Sequence, residues 1–294
     1  MKTIRSIFLL SIAVLFLLPC PGPAGEQAAA GDANAYLLPA GDFDGDGRDE
    51  IGFFRPDEGR WYIRGLTAFG FGRGTDYPII GDYDGDGTWE IAVFRPETGL
   101  WAVRGYSRRY FGGAGDLPIS GDYDGDGSFE IAVFRPRTGL WALGDGGWSY
   151  FGGEGDIPVP DDYDGDGSID ITVFRPSSGL WAIREITRFY LGGSRDYPLT
   201  GDYDGDGFPE LTVFRASSGL WAIRGITRFY FGGTGSIPSF ISAGADEFSD
   251  PAVFRTAIGL WAIRGVTRVY YGRPGDIPFP GYYSGEEEEE GEGI

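Results

Sequence analysis

Five short segments of this chain concentrate acidic residues in a pattern that can bind a metal ion. Each reads D-x-D-G-D-G-x-x-E/D, which places carboxylates at positions one, three, five and nine. Alternating Asp residues let a tight loop turn three carboxylates inward, and the Gly at position six permits the sharp turn. The backbone carbonyl of position seven and the acid at position nine complete an all-oxygen shell, which suits Ca²⁺ better than Mg²⁺ or a softer metal. The predicted calcium ligands are Asp42, Asp44, Asp46, Glu50, Asp82, Asp84, Asp86, Glu90, Asp122, Asp124, Asp126, Glu130, Asp162, Asp164, Asp166, Asp170, Asp202, Asp204, Asp206 and Glu210.

The rest of the composition excludes several other chemistries. Histidine is absent, and the single cysteine is Cys20, so a Cys/His metal site and a thiol nucleophile in the body of the protein are excluded. The formal net charge of −20 argues against nucleic acid as a partner. Much of that charge lies in the acidic loops, so we expect about five bound Ca²⁺ ions. A sixth copy keeps only two of the four acids, and we expect it to bind calcium weakly or not at all; its positions are Ser242, Gly244, Asp246 and Asp250.

The acidic loops belong to a repeat of 40 residues that does not drift along the chain. The repeats start near residues 41, 81, 121, 161, 201 and 241, and each contains one tryptophan at a fixed position: Trp61, Trp101, Trp141, Trp181, Trp221 and Trp261. One unit divides into four short strands, with a hairpin that pairs Phe134 with Trp141. Four strands per repeat, six times over, predict an all-β, six-bladed β-propeller. A seven-bladed ring with an incomplete blade and an open β-solenoid are the alternatives.

The two ends of the chain carry separate predictions. Residues 1–24 have the pattern of a secretory signal peptide, followed by a linker over 25–35, the propeller over 36–283 and an acidic, disordered tail over 284–294. We therefore expect a secreted or periplasmic protein without a transmembrane segment; lipidation at Cys20 is the alternative. The segment from Tyr36 to Phe43 is expected to be the first strand of blade one. A seventh copy of that strand, from Asp276 to Tyr283, is expected to lap over the seam between the first and last blades.

The repeat resembles the FG-GAP/VCBS-type repeat found in the integrin α-chain propeller and in many bacterial extracellular proteins. The likeness rests on Phe111-Gly112-Gly113-Ala114-Gly115-Asp116 together with the acidic loop GDYDGDGSFE that follows. It implies calcium loops between the first and second strands, all on one face of the propeller. It also implies a role in adhesion, carbohydrate binding or protein recognition outside the cell.

Other recurring residues are expected to build the blades. Tryptophan present in every blade fills the space between sheets, and arginine pairs with acids or stacks on rings; this arginine series is Arg55, Arg95, Arg135, Arg175, Arg215 and Arg255. Two tryptophans outside the repeat pattern, Trp89 and Trp148, are candidates for contact with a ligand. The expected function is a non-catalytic recognition or adhesion module for an unidentified glycan or protein. The alternatives are a propeller enzyme of the polysaccharide lyase or glycosidase type and a purely structural envelope protein.

Overall fold

The computed structural model describes residues 35–38, 40–66, 68–243 and 248–284. The predicted signal peptide with Cys20, most of the linker, and the tail beyond Ser284 lie outside these residues. No helix in the described part of the chain is long and apolar enough to cross a bilayer.

The described residues form short strands joined by tight turns. In chain order the strands are β1 (Ala35–Leu38), β2 (Gly52–Arg55), β3 (Arg60–Ile63), β4 (Ala68–Gly70), β5 (Tyr77–Gly81), β6 (Glu90–Arg95), β7 (Leu100–Val103), β8 (Ser107–Tyr110), β9 (Leu117–Pro118), β10 (Ala132–Arg135), β11 (Leu140–Leu143), β12 (Trp148–Tyr150), β13 (Ile157–Pro158), β14 (Thr172–Arg175), β15 (Leu180–Ile183), β16 (Thr187–Tyr190), β17 (Tyr197–Leu199), β18 (Thr212–Arg215), β19 (Leu220–Ile223), β20 (Thr227–Tyr230), β21 (Ser236–Ile241), β22 (Asp250–Arg255), β23 (Leu260–Ile263), β24 (Thr267–Tyr270), β25 (Ile277–Phe279) and β26 (Gly281–Ser284).

These strands build six antiparallel sheets of four strands, which confirms the six-bladed β-propeller. Blade 2 is β5–β8, blade 3 is β9–β12, blade 4 is β13–β16, blade 5 is β17–β20 and blade 6 is β21–β24. The predicted hairpin pairing is also confirmed, since Phe134 lies opposite Trp141 in the register of β10 and β11. Because neighbouring strands alternate in direction, the acidic loops between first and second strands all lie on one face. The turns between second and third strands lie on the opposite face.

Closure of the ring differs from the sequence expectation. Blade 1 takes its first strand from the other end of the chain, because β25 pairs with β2, which continues into β3 and β4. The N-terminal strand β1 pairs instead with β26 in a separate two-stranded ribbon. One physical reason is the ion pair of Arg55, which joins the end of the second strand to an acid at the start of the first strand. Asp276 is this acid, with Nε and Nη2 of Arg55 donating to the two carboxylate oxygens at 2.8 and 3.0 Å. The segment before β2 offers no acid at that position.

The ribbon of β1 and β26 lies at the centre of the ring. Strand β1 approaches the inner strands of blades 2, 3 and 4, while β26 approaches those of blades 6 and 1. A four-residue strand can reach three successive inner strands only near the axis on which they converge. The ribbon therefore lies across the central axis of the propeller.

The core between blades is built from one Phe–Trp pair per blade. Each repeat tryptophan is at most 1% exposed, and its ring contacts the phenylalanine opposite it, as Phe134 and Trp141 do with centroids 5.1 Å apart. In blade 1 the indole Nε1 of Trp61 donates to the carbonyl oxygen of Phe71 at 2.8 Å, which satisfies its polar atom. Burial of one such ring contributes about 2–3 kcal/mol. The expectation that the recurring tryptophans build the blades is thus confirmed.

Candidate metal centres

The first acidic loop shows how the sequence pattern folds around its own carboxylates. Asp42 accepts backbone hydrogen bonds through both oxygens, from Gly45 N at 2.6 Å to Oδ1 and from Gly47 N at 2.8 Å to Oδ2. Gly45 and Gly47 have φ angles of 77° and 84°, a left-handed backbone that glycine adopts without strain. Glu50 closes the loop from the far side, since its Oε2 accepts the N–H of Phe43 at 2.8 Å. The first residue shapes the loop, and the others direct oxygen atoms towards its centre.

The structure brings most of the predicted ligands together. In the first and third loops, all four acids place one oxygen each within 4.8 Å of one another: Asp42, Asp44, Asp46 and Glu50, and Asp122, Asp124, Asp126 and Glu130. In the other three loops the same holds for the three aspartates: Asp82, Asp84 and Asp86, Asp162, Asp164 and Asp166, and Asp202, Asp204 and Asp206. Glu90, Asp170 and Glu210 fall outside those three clusters. Each nevertheless accepts the amide of the second loop residue at 2.8–2.9 Å, as Glu50 does.

Electrostatics show how unfavourable these loops are without a counter-charge. Burial above all, together with the negative charges of Asp44, Asp42 and Asp46, raises the pKa of Glu50 to about 7 despite the hydrogen bond from Phe43 N, which lowers it. The same causes raise the pKa of Glu90, Glu130 and Glu210 to about 7 and that of Asp170 to about 6. A divalent cation held by all-oxygen ligands would favour the charged form of every one of these groups. The residues present therefore fit a calcium ion.

These pKa directions predict opposite pH dependence with and without calcium. In the unfolded chain a glutamate titrates near pH 4.3, so the folded, metal-free protein binds more protons than the unfolded chain between about pH 5 and pH 7. Its free energy of unfolding should therefore fall as pH rises through that window. Calcium binds the deprotonated loops, so the calcium-loaded protein should instead become more stable over the same range. Thermal melts of stripped and calcium-loaded protein across this window measure both slopes.

A combined Glu-to-Gln variant at positions 50, 90, 130 and 210 is the control for this pH dependence. It should reduce the slope of the stripped protein, since the four glutamines do not titrate, and leave the part that comes from Asp170. A melting temperature of the stripped wild type that rises from about pH 5 to pH 7 would contradict the interpretation.

Backbone hydrogen bonds join neighbouring acidic loops across the blade seams. The eighth residue of one loop donates its N–H to the carbonyl oxygen of the first residue of the preceding loop. The pairs are Trp89 to Asp42 at 2.9 Å, Phe129 to Asp82 at 2.7 Å, Ile169 to Asp122 at 2.7 Å, Ser249 to Asp202 at 2.6 Å and Asp49 to Ser242 at 3.1 Å. Order in one loop is therefore coupled to order in the next around the ring.

The seam between blades 4 and 5 uses a different contact. Its eighth residue is Pro209, which has no N–H to donate. Thr200 instead donates its hydroxyl to Asp161 Oδ2 at 2.8 Å, and both residues are fully buried. In the first, second, third and fifth repeats the residue equivalent to Asp161 is glycine, so Asp161 is visible in the sequence as a deviation from the repeat. Its role across the seam needed the neighbouring blade.

The sixth loop closes the ring through Ser242. The carboxylate of Asp49 accepts the N–H of Ser242 at 2.6 Å, in addition to the reciprocal backbone bond. Gly244 and Asp246 lie outside the described residues, so the expectation that this copy binds little calcium stays a prediction.

The two candidate ligand tryptophans differ in environment. Trp89 packs across a seam, with its ring 5.4 Å from that of Phe129. A Cβ at Gly41 would lie only 2.5 Å from the Trp89 ring, so the glycine is needed for this packing. Trp148 lies on the outer strand β12 with 70% of its surface exposed, beside Tyr150, which is 63% exposed. Their ring centroids are 5.9 Å apart in an edge-on arrangement.

Arginines from the flanking blades reach blade 3 near Trp148, one at the turn before β12 and one on β12 itself. Arg109 of blade 2 donates to the carbonyl oxygen of Gly144 at 2.6 Å, and Arg184 of blade 4 donates to Ser149 Oγ at 2.7 Å. Blade 3 thus presents two exposed aromatic rings and accepts hydrogen bonds from an arginine of each neighbouring blade. The sequence singled out Trp148 but gave no sign of the arginines, because they come from other repeats.

The fold and these loops together define a six-bladed β-propeller with acidic clusters able to hold metal ions on one face. A scan against models of known protein families finds no match for this sequence. A comparison with curated protein sequences likewise finds none that matches.

Proposed function

We propose that this protein is an extracellular, calcium-stabilised recognition or adhesion module that binds a glycan or a protein without catalysis. The observation that carries the proposal is the set of acidic loops joined by hydrogen bonds across the blade seams. Bound calcium would fix five of these loops at once and make one face of the propeller rigid. The resemblance to FG-GAP/VCBS-type repeats, which the loops share in pattern, and the signal-like N-terminal sequence support an extracellular role.

The position of the terminal ribbon supports a non-catalytic role over the enzyme alternative. A propeller enzyme of the lyase or glycosidase type would use side chains that converge on the central channel. Here β1 and β26 lie across that axis, against the inner strands of five blades. This arrangement leaves the outer surface as the better candidate for ligand contact.

Trp148 and Tyr150 are the surface residues best suited to contact a ligand. Rings this exposed can stack on a sugar or on an apolar side chain, while their polar atoms and the flanking Arg109 and Arg184 offer hydrogen bonds. A ligand that carries both apolar faces and hydroxyl or acidic groups would match this surface, which favours a glycan. An exposed tyrosine recurs at the position of Tyr150 in blades 2, 4, 5 and 6, so Trp148 is the ring that distinguishes the surface of blade 3.

A glycan array tests this function directly. Calcium-loaded protein should bind a defined set of glycans, and Trp148→Ala should weaken that binding about fivefold, because an aromatic contact of this kind contributes about 1 kcal/mol. Tyr106→Ala is the matched control, since Tyr106 is also an exposed aromatic residue but lies on a turn of blade 2.

Three outcomes separate the alternatives. Equal losses in Trp148→Ala and Tyr106→Ala would contradict the site. Absence of any glycan or protein ligand in calcium would favour the structural envelope role, and turnover of a bound polysaccharide would establish the enzyme alternative.

A further inference from the structure

An arginine–aspartate pair marks the start of five of the six blades. In each pair the arginine at the end of the second strand donates Nε and Nη2 to the two oxygens of an aspartate next to the first strand. The Nε distances are 2.6–2.8 Å and the Nη2 distances 2.7–3.0 Å. The aspartate side chains are at most 1% exposed. The pairs are Arg55–Asp276, Arg95–Asp76, Arg135–Asp116, Arg175–Asp156 and Arg215–Asp196.

Blade 6 keeps the arginine and lacks the acid. Ser236 lies opposite Arg255 in the register of β21 and β22, which is the position of the aspartate in the other blades. Ser236 is 5% exposed, and its buried hydroxyl has no hydrogen-bond partner. Among the described residues no acid forms an ion pair with Arg255. A guanidinium and a buried hydroxyl therefore both lack the acceptor that the other five blades provide.

A third donor reaches the aspartate in only some of the blades. In two blades the aspartate also accepts an N–H from three residues earlier, from Arg73 to Asp76 at 3.0 Å and from Arg273 to Asp276 at 2.8 Å. The residue at that place is glycine in blades 3, 4 and 5, where no such bond is formed among the described residues, and it is glycine again, Gly233, in blade 6. The serine side chain ends short of the place that the two carboxylate oxygens occupy in the other blades, so the Arg255 guanidinium and the Ser236 hydroxyl have no charged acceptor there.

We propose that Arg255 and Ser236 bind a small monovalent anion, a halide ion or a carboxylate group, in place of the missing aspartate. A charged acceptor at this position would complete the hydrogen bonds of the guanidinium and of the hydroxyl. Hydrogen bonds that involve an ionised partner are the stronger ones, and a buried hydroxyl without a partner is destabilising. The anion would be either a free ion from solvent or the carboxylate of a bound ligand. The site lies on the face opposite the acidic loops, so it does not depend on calcium or on the ligand surface of blade 3.

Chlorine NMR on the calcium-loaded protein tests the proposal with chloride as the probe. The wild type should broaden the chloride signal, and added acetate should reduce that broadening by competing for Arg255. Ser236→Asp supplies the missing acid for a sixth ion pair and should abolish the acetate-sensitive part of the chloride line broadening. Arg255→Gln should abolish it too, because it removes the guanidinium. A melting temperature that rises by about 2–4 °C with chloride in the wild type, and stays constant in both variants, is the second readout.

Ser178→Asp is the matched control for Ser236→Asp. Ser178 is exposed on the same face, in a position occupied by Glu58 in blade 1, so the variant adds one negative charge without supplying a partner to Arg255. It should keep the wild-type chloride response, and Arg268→Gln, at an exposed arginine of β24, should keep it too.

Competition experiments identify the source of the anion. Displacement of chloride by glucuronate as well as acetate would support the carboxylate of a larger ligand. Displacement by acetate alone would support a free ion. Equal, acetate-sensitive broadening in the wild type, Ser236→Asp and Arg255→Gln would overturn the proposal.

Discussion

Calcium-stripped protein is expected to unfold tens of degrees below the calcium-loaded protein. Five loops each hold three or four acids close together, and without an ion these charges repel one another; burial first, and this repulsion in addition, raise the pKa of the acid at position nine, as at Glu50. An ion present at a hundred times its Kd stabilises the folded state by about 2.7 kcal/mol, so five such ions would add about 13 kcal/mol. A domain of this size changes its melting temperature by about 2–4 °C per kcal/mol, so removal of calcium should lower the melting temperature by tens of degrees.

Calorimetric titration of stripped protein, paired with thermal melts, measures this effect. We expect about five bound Ca²⁺ ions and a melting temperature that rises with their number. An Asp84→Asn/Asp86→Asn variant should lose one ion and about a fifth of the stabilisation. Asp145→Asn is the control, because Asp145 lies on an exposed turn outside the loops. Absence of calcium binding together with an unchanged melting temperature would mean that the acidic loops are ordinary turns. The proposed function would then lose its main support.

A chain truncated after Asp276 is expected to lose the folded propeller. The truncation removes β25, which is the first strand of blade 1, and β26, which pairs with β1. Phe279 would be lost from the core, where its ring lies 5.4 Å from that of Trp61. Loss of a buried phenylalanine side chain alone costs about 3–5 kcal/mol, and the exposed edge of β2 would add to the cost.

Circular dichroism, size-exclusion chromatography and thermal melts of the purified truncation check this expectation. A chain that ends at Ser284 is the matched control, since it keeps every described strand. We expect this control to melt at the same temperature as the full-length protein, while the shorter chain aggregates or unfolds. A cooperative, monomeric melt of the shorter chain near the wild-type temperature would mean that blade 1 can take its first strand from the N-terminal segment.

Much of this structure could be predicted from the sequence because the same residue pattern recurs in six successive repeats. The spacing of Trp61 to Trp261 predicts the blade number, and strand alternation with turn residues predicts the pairing of Phe134 with Trp141, since both depend on local geometry. The acidic residues of each loop are also local, so their grouping follows from a nine-residue stretch. The hydrogen-bonded ring that the loops form together cannot be predicted from one stretch, because its backbone hydrogen bonds join a loop of one repeat to a loop of the next.

Only the tertiary structure decided which end of the chain completes blade 1, that the ribbon of β1 and β26 crosses the central axis, and which departures from the repeat make contacts of their own. The C-terminal copy of the first strand begins with Asp276 where the N-terminal copy has Tyr36, and the importance of this difference appears only when Asp276 pairs with Arg55 in the closed ring. Trp89 stands out in the sequence yet packs against Gly41, whereas Ser236 and Asp161 are modest changes whose meaning depends on residues across a strand or a seam. Local pattern fixes each blade, because its hydrogen bonds join residues close in sequence. Closure of the propeller ring and the candidate sites between blades depend on contacts between residues distant in sequence, and no single repeat contains both partners of such a contact.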